Sequence, residues 1–82
     1  MINREQFCHK IRTIYPKIGE CGIDVAVEFD ETKNAWIVDL KKDGHELKTH
    51  LEPPDVDACI EGRQCVSIGL QIGQLMDNIK KL

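Results

Sequence analysis

The chain has 82 residues, 41% of them hydrophobic and only 5% aromatic, with a formal net charge of −3. That length suits one α+β domain over residues 1–82 with a modest core, and leaves no room for a second domain. No apolar run is long enough to cross a membrane and no basic-then-apolar leader opens the chain, so neither insertion nor export is expected, and a small soluble cytoplasmic protein is.

The first helix has a defined start. Asn3 is placed to cap it, Gln6 sits at the third helical position as in a capping box, and Ile2 and Phe7 are spaced as a hydrophobic staple. Phe7, Ile11, Ile14, Tyr15 and Ile18 form one apolar stripe. Pro16 fits poorly in a helix interior, so the helix ends near Ile14 or Tyr15. Gly19 and Gly22 then allow the turn into a strand.

Residues 23–51 read as a three-stranded antiparallel meander. Asp43-Gly44 between two alternating runs is the signature of a two-residue type I′ hairpin, whose central residues both need positive φ. Placing that turn sets Lys42 opposite His45, Lys41 opposite Glu46, Leu40 opposite Leu47, Asp39 opposite Lys48, Val38 opposite Thr49, Ile37 opposite His50 and Trp36 opposite Leu51. With 31–34 as the first loop, Phe29 meets Trp36, Val27 meets Val38, Val25 meets Leu40, and on the other face Asp24 meets Lys41, Ala26 meets Asp39 and Glu28 meets Ile37. Ile23, Val25, Val27 and Phe29 thus share an apolar face, and the opposite face is polar with paired charges, as in a sheet that covers a core on one side.

Pro53-Pro54 stops the third strand. Asp55 is a natural N-cap, Asp57 and Glu61 suit the positive end of a helix, and Lys80 and Lys81 suit the negative end. Gly62 leaves two courses open, a helix continuous through it or a break with a short turn over 56–61 before the main body. The expected order is α-β-β-β-α, a meander with two helices packed on one face.

That order resembles the double-stranded-RNA-binding domain along the whole chain, at the level of topology alone. In that family the second helix opens with a lysine cluster that contacts phosphates; the matching stretch here runs Asp55-Val56-Asp57-Ala58-Cys59-Ile60-Glu61 and would repel them. The family's histidine-bearing loop is matched by Asp30-Glu31-Thr32-Lys33-Asn34, which has no histidine. The resemblance therefore implies a shape, and nucleic-acid binding is not expected.

The C-terminal helix has the most unusual pattern. Ile68, Ile72, Leu75, Ile79 and Leu82 repeat at helical spacing as a core stripe. Gly62, Gly69 and Gly73 line a neighbouring stripe, and Val66 and Leu70 lie nearly opposite the core. A glycine inside a helix costs about 1 kcal/mol relative to alanine, so a run of them points to close approach of another element. That element is either the first helix or a partner helix, including a symmetric copy of this one. Val66, Gly69, Leu70 and Gly73 are accordingly the candidate interaction surface.

Little else suggests chemistry. Cys8, Cys21, Cys59 and Cys65 contain no C-x-x-C pair, and without an export signal they are expected to be free, small buried hydrophobes. Cys59 and Cys65 would diverge by about 120° on a continuous helix, unless Gly62 breaks it. His45 and His50 face opposite sides of their strand, and His9 faces solvent. Asp24, Glu28, Asp39 and Glu46 share the polar sheet face with Lys41 and Lys48 and read as a solvated, charge-balanced surface. No phosphate-cradling loop, dinucleotide fingerprint or hydrolase elbow occurs. The sequence thus predicts no catalytic residue, no cofactor and no metal. It predicts a protein-interaction module that binds a protein partner or a second copy of itself through the C-terminal helix. The alternative is a metal- or thiol-redox-responsive protein that uses the cysteines.

Overall fold

Asn3 caps the first helix, α1 (Arg4–Ile14), in the computed structural model, which describes residues 3–82. Its Oδ1 accepts a hydrogen bond from the Gln6 amide at 2.8 Å, which satisfies one of the free donors of the first turn. The staple residue Ile2 lies outside the described residues. The helix ends where Pro16 requires it to, and residues Pro16–Ile18 add a single 3-10 turn.

The meander consists of β1 (Val25–Asp30), β2 (Ala35–Lys42) and β3 (His45–Leu51), paired antiparallel in that order. Asp43 and Gly44 have φ of 52° and 81°, as a type I′ turn demands. The Asp30 side chain accepts from the amides of Thr32 and Lys33 at 3.0 and 3.2 Å, which shapes the 31–34 loop. Every strand pair follows the register set by these turns, from Phe29 opposite Trp36 to Lys42 opposite His45.

Ile23 departs from expectation. It does not join β1 and is 72% exposed. The Glu20 carbonyl collects the amides of Ile23, Asp24 and Val25 at 3.2, 2.9 and 3.2 Å, and the Asp24 carboxylate takes the Glu20 amide at 2.8 Å. This closed turn competes successfully with an extended strand start. Asp24 still adds one rung, since its carbonyl accepts from the Lys41 amide at 2.8 Å.

The chain then turns into α2 (Pro53–Ile60), capped at Glu52 rather than at Asp55. Proline is tolerated at the first helical position because its missing N–H has no partner there anyway, so the pair that ends β3 also begins a helix. The Asp55 carboxylate instead accepts from the Ser67 hydroxyl at 3.3 Å. Gly62, with φ of +79°, closes α2 in the left-handed conformation, and α3 (Val66–Lys80) follows after an elbow. The expected second helix is therefore two helices, and the α+β order becomes α-β-β-β-α-α.

All three helices cover the same face of the sheet. Phe7 and Ile11 of α1, Val56 of α2, and Ile68, Ile72, Leu75 and Ile79 of α3 are buried against Val25, Val38, Leu40 and Leu51 of the sheet. Trp36 is the junction. It meets Phe7 edge-on at 5.4 Å and Phe29 at 5.3 Å between ring centroids, the arrangement aromatic quadrupoles favour.

The cysteines correct the sequence expectation. Cys8 is bonded to Cys21, and Cys59 to Cys65. The Tyr15–Ile18 bend returns the chain so that Cys21 lies 6.2 Å from Cys8, Cα to Cα. The Gly62 elbow removes the angular divergence of Cys59 and Cys65 and brings their Cα atoms to 4.3 Å.

Candidate functional site

The outer ridge of α3 carries two adjacent apolar side chains in solvent. Val66 and Leu70, one turn apart, are 64% and 63% exposed. Their exposure follows from the helical repeat: with Ile68, Ile72, Leu75 and Ile79 facing the core, positions 66 and 70 face away.

The glycines of the stripe, Gly62, Gly69 and Gly73, separate into three roles. Gly62 is outside the helix and ends α2. Gly73 lies under the chain's own Tyr15, whose hydroxyl oxygen is 2.8 Å from where a Gly73 Cβ would stand. That hydroxyl donates to the Gly69 carbonyl at 2.7 Å. Gly69 itself has open space at its Cβ position, with nothing within 4 Å. Packing of the first helical segment thus accounts for Gly73, and the surface that is free narrows to Val66, Gly69 and Leu70.

The other candidates stay apart. Both disulfides are formed, so among the described residues no cysteine is free. No three His, Cys, Asp or Glu side chains among the described residues stand close enough to hold a metal ion. The facing opposite charges of the sheet do not close into ion pairs. Among the described residues the ion pairs are Arg12–Glu20 and Arg63–Glu61, and neither belongs to the meander. Asp39 departs from the balanced picture. Burial holds its carboxyl above its ordinary value, and the neighbouring Glu46 carboxylate pushes it further the same way, against the opposing pull of Lys48 and Lys41.

One feature escapes any reading by spacing. Lys17, Lys41, Lys42 and Lys80 come together around a cleft of about 420 Å³, formed where the 3-10 turn, the β2–β3 hairpin tip and the end of α3 meet. They are far apart in sequence, and the chain is acidic overall, so nothing in the composition signals a basic site.

Compared with protein-family models, with curated proteins and with solved structures, the chain matches none. The acidic stretch 55–61 forms most of α2 and its end, with Asp57 and Glu61 exposed. Among the described residues no helix is long and apolar enough to cross a membrane.

Proposed function

We propose that the chain is a non-catalytic protein-interaction module that associates with a second copy of itself through Val66, Gly69 and Leu70. The observation that supports this is the exposed pair Val66 and Leu70 flanking a glycine with an open Cβ position. A bare helix backbone at Gly69 lets a second helix approach closely, and a two-fold axis near it would set Val66 of one copy against Leu70 of the other. Arg63, Gln74 and Asp77, all exposed, would supply the polar rim. A stable specific interface buries roughly 800 Å² per partner, more than two side chains provide, so the dimer is expected to be weak and concentration-dependent.

The test is the solution mass by light scattering over a wide concentration range. The wild-type mass should rise from one chain towards two, and Leu70→Asp should hold it at one chain with an unchanged melting curve. A single-chain mass at every concentration, unaltered by Leu70→Asp, would falsify the proposal.

The pairing of all four cysteines favours a second reading, that of a thiol-redox-responsive protein. The cytosol keeps most thiols reduced, so a cytoplasmic location agrees with two disulfides only if those bonds open and close with redox state. The Cys59–Cys65 bond bridges the elbow immediately before Val66, and its reduction would loosen the start of the proposed interface. Counting thiols by mass spectrometry after equilibration in glutathione buffers checks this. Bonds that remain closed at the cytosolic potential would rule the redox reading out.

A further inference from the structure

From the lysine-rimmed cleft at the opposite end of α3, we infer that the chain binds a small organic anion with an apolar body, of the alkyl carboxylate class. Half of the chain's eight lysines line this one concavity, although the chain carries a net charge of −3. Like charges gathered from three separate segments repel one another, and each lysine is exposed and free to point elsewhere. Among the described residues none of the four ammonium groups forms an ion pair. Two aspartates also line the cleft and offset the lysines only in part. The Asp24 carboxylate is already engaged by the Glu20 amide, and its side chain is packed so closely on Gly19 that a Cβ there would collide with it. Asp43 belongs to the hairpin turn.

The base of the cleft is of the opposite character. Ile18, Leu40 and Ile79 are buried, and half-buried Met76 offers a flexible thioether that adapts to an irregular apolar guest. A charged rim over an apolar base selects a ligand with one charged end and a short hydrocarbon body. Lysine supplies mobile point charges and no planar fork, so a single carboxylate is met by one or two ammonium groups at a time. Lys80 also complements the negative end of the α3 dipole, which keeps it near the cleft when the site is empty. The walls are held in place by the Asp24–Glu20 turn and by the Lys41–Asp24 rung, so the site exists before the ligand arrives.

The probe is octanoate, titrated into the full chain and followed by amide resonances, with octanol and inorganic phosphate in parallel. Octanoate should shift Gly19, Lys42, Met76 and Lys80 saturably, and it should bind more tightly than either control. Lys41→Gln/Lys80→Gln should weaken octanoate about tenfold, the factor expected when a charge-assisted hydrogen bond is removed, while lowering the melting temperature no more than the loss of one helix-end charge does. Phosphate binding as well as octanoate would overturn the amphipathic class, and octanol binding as well would overturn the role of the lysines. No saturable shift at millimolar octanoate, or binding only to vesicles of anionic lipid, would overturn the site itself.

Discussion

The sheet and the helical layer above it are held together in different ways. Each strand pairs with its neighbour in sequence, and two tight turns set the whole register. The helical layer has no such local rule. It is tied by Tyr15 to Gly69 across 54 residues, by Ser67 to Asp55 across 12, and by two disulfides. The lesson is that a local turn specifies many pairs at once, whereas each long-range tie specifies only itself. Removing a tie should therefore loosen one helix and leave the meander standing.

The sharpest way to break this contrast is at Trp36, whose ring meets Phe7 of α1 and Phe29 of β1. Trp36→Ala should cost about 3–5 kcal/mol and lower the melting temperature of sheet and helices together, as a single calorimetric transition shows. Two separate transitions would mean that the layers fold independently.

The disulfides come next. Replacing Cys8 and Cys21 by alanine should cost about 3 kcal/mol, and replacing Cys59 and Cys65 about 2 kcal/mol, because the first closes the longer loop in the unfolded chain. Hydrogen exchange should show lost protection in α1 for the first pair and around the Gly62 elbow for the second. Equal loss in β2 would undo the distinction between the layers.

Within α3 the two glycines sharpen it further. Gly69→Ala should stabilise the isolated chain by about 0.5–1 kcal/mol, since alanine is the better helix former and meets nothing there. Gly73→Ala should give no such gain, because the methyl group displaces the Tyr15 hydroxyl and breaks its bond to the Gly69 carbonyl. Denaturant midpoints of the two variants decide the matter. By the same logic Gly69→Ala should weaken self-association while Gly73→Ala leaves it intact.

The smallest effect belongs to the polar face of the sheet. The folded state holds the Asp39 proton more tightly than the unfolded chain does, so above the ordinary value of 3.8 the native state binds more protons. Stability contributed by this group is present at low pH and falls as pH rises through the raised value. Asp39→Asn should remove that falling limb and exceed wild type in stability at neutral pH, with the difference vanishing at low pH. Urea titrations at several pH values measure it, and a variant weaker than wild type at neutral pH would show that Lys48 and Lys41 prevail.

Much of this molecule was determined by the sequence alone. The Asn3 cap, the end of α1 before Pro16, the Asp43-Gly44 turn and the full strand register all depend on backbone preferences within a few residues, whereas Gly62 offered a break without deciding it. The apolar stripe of α3 also told that Val66 and Leu70 would be left outside, but it counted Leu82 into the core, and that residue lies past the helix end and is 60% exposed. The meetings of distant residues were settled by the folded chain. Periodicity placed Ile23 in a strand, but a turn closed by Asp24 and Glu20 took it away. The cysteine spacings carried no pairing, because bond formation depends on where the bends at Pro16 and Gly62 send the chain. The glycine stripe could not say which member Tyr15 would cover. The four lysines became neighbours only when a 3-10 turn, a hairpin tip and a helix end met, since the folded chain, and not the spacing along it, sets the distance between charges.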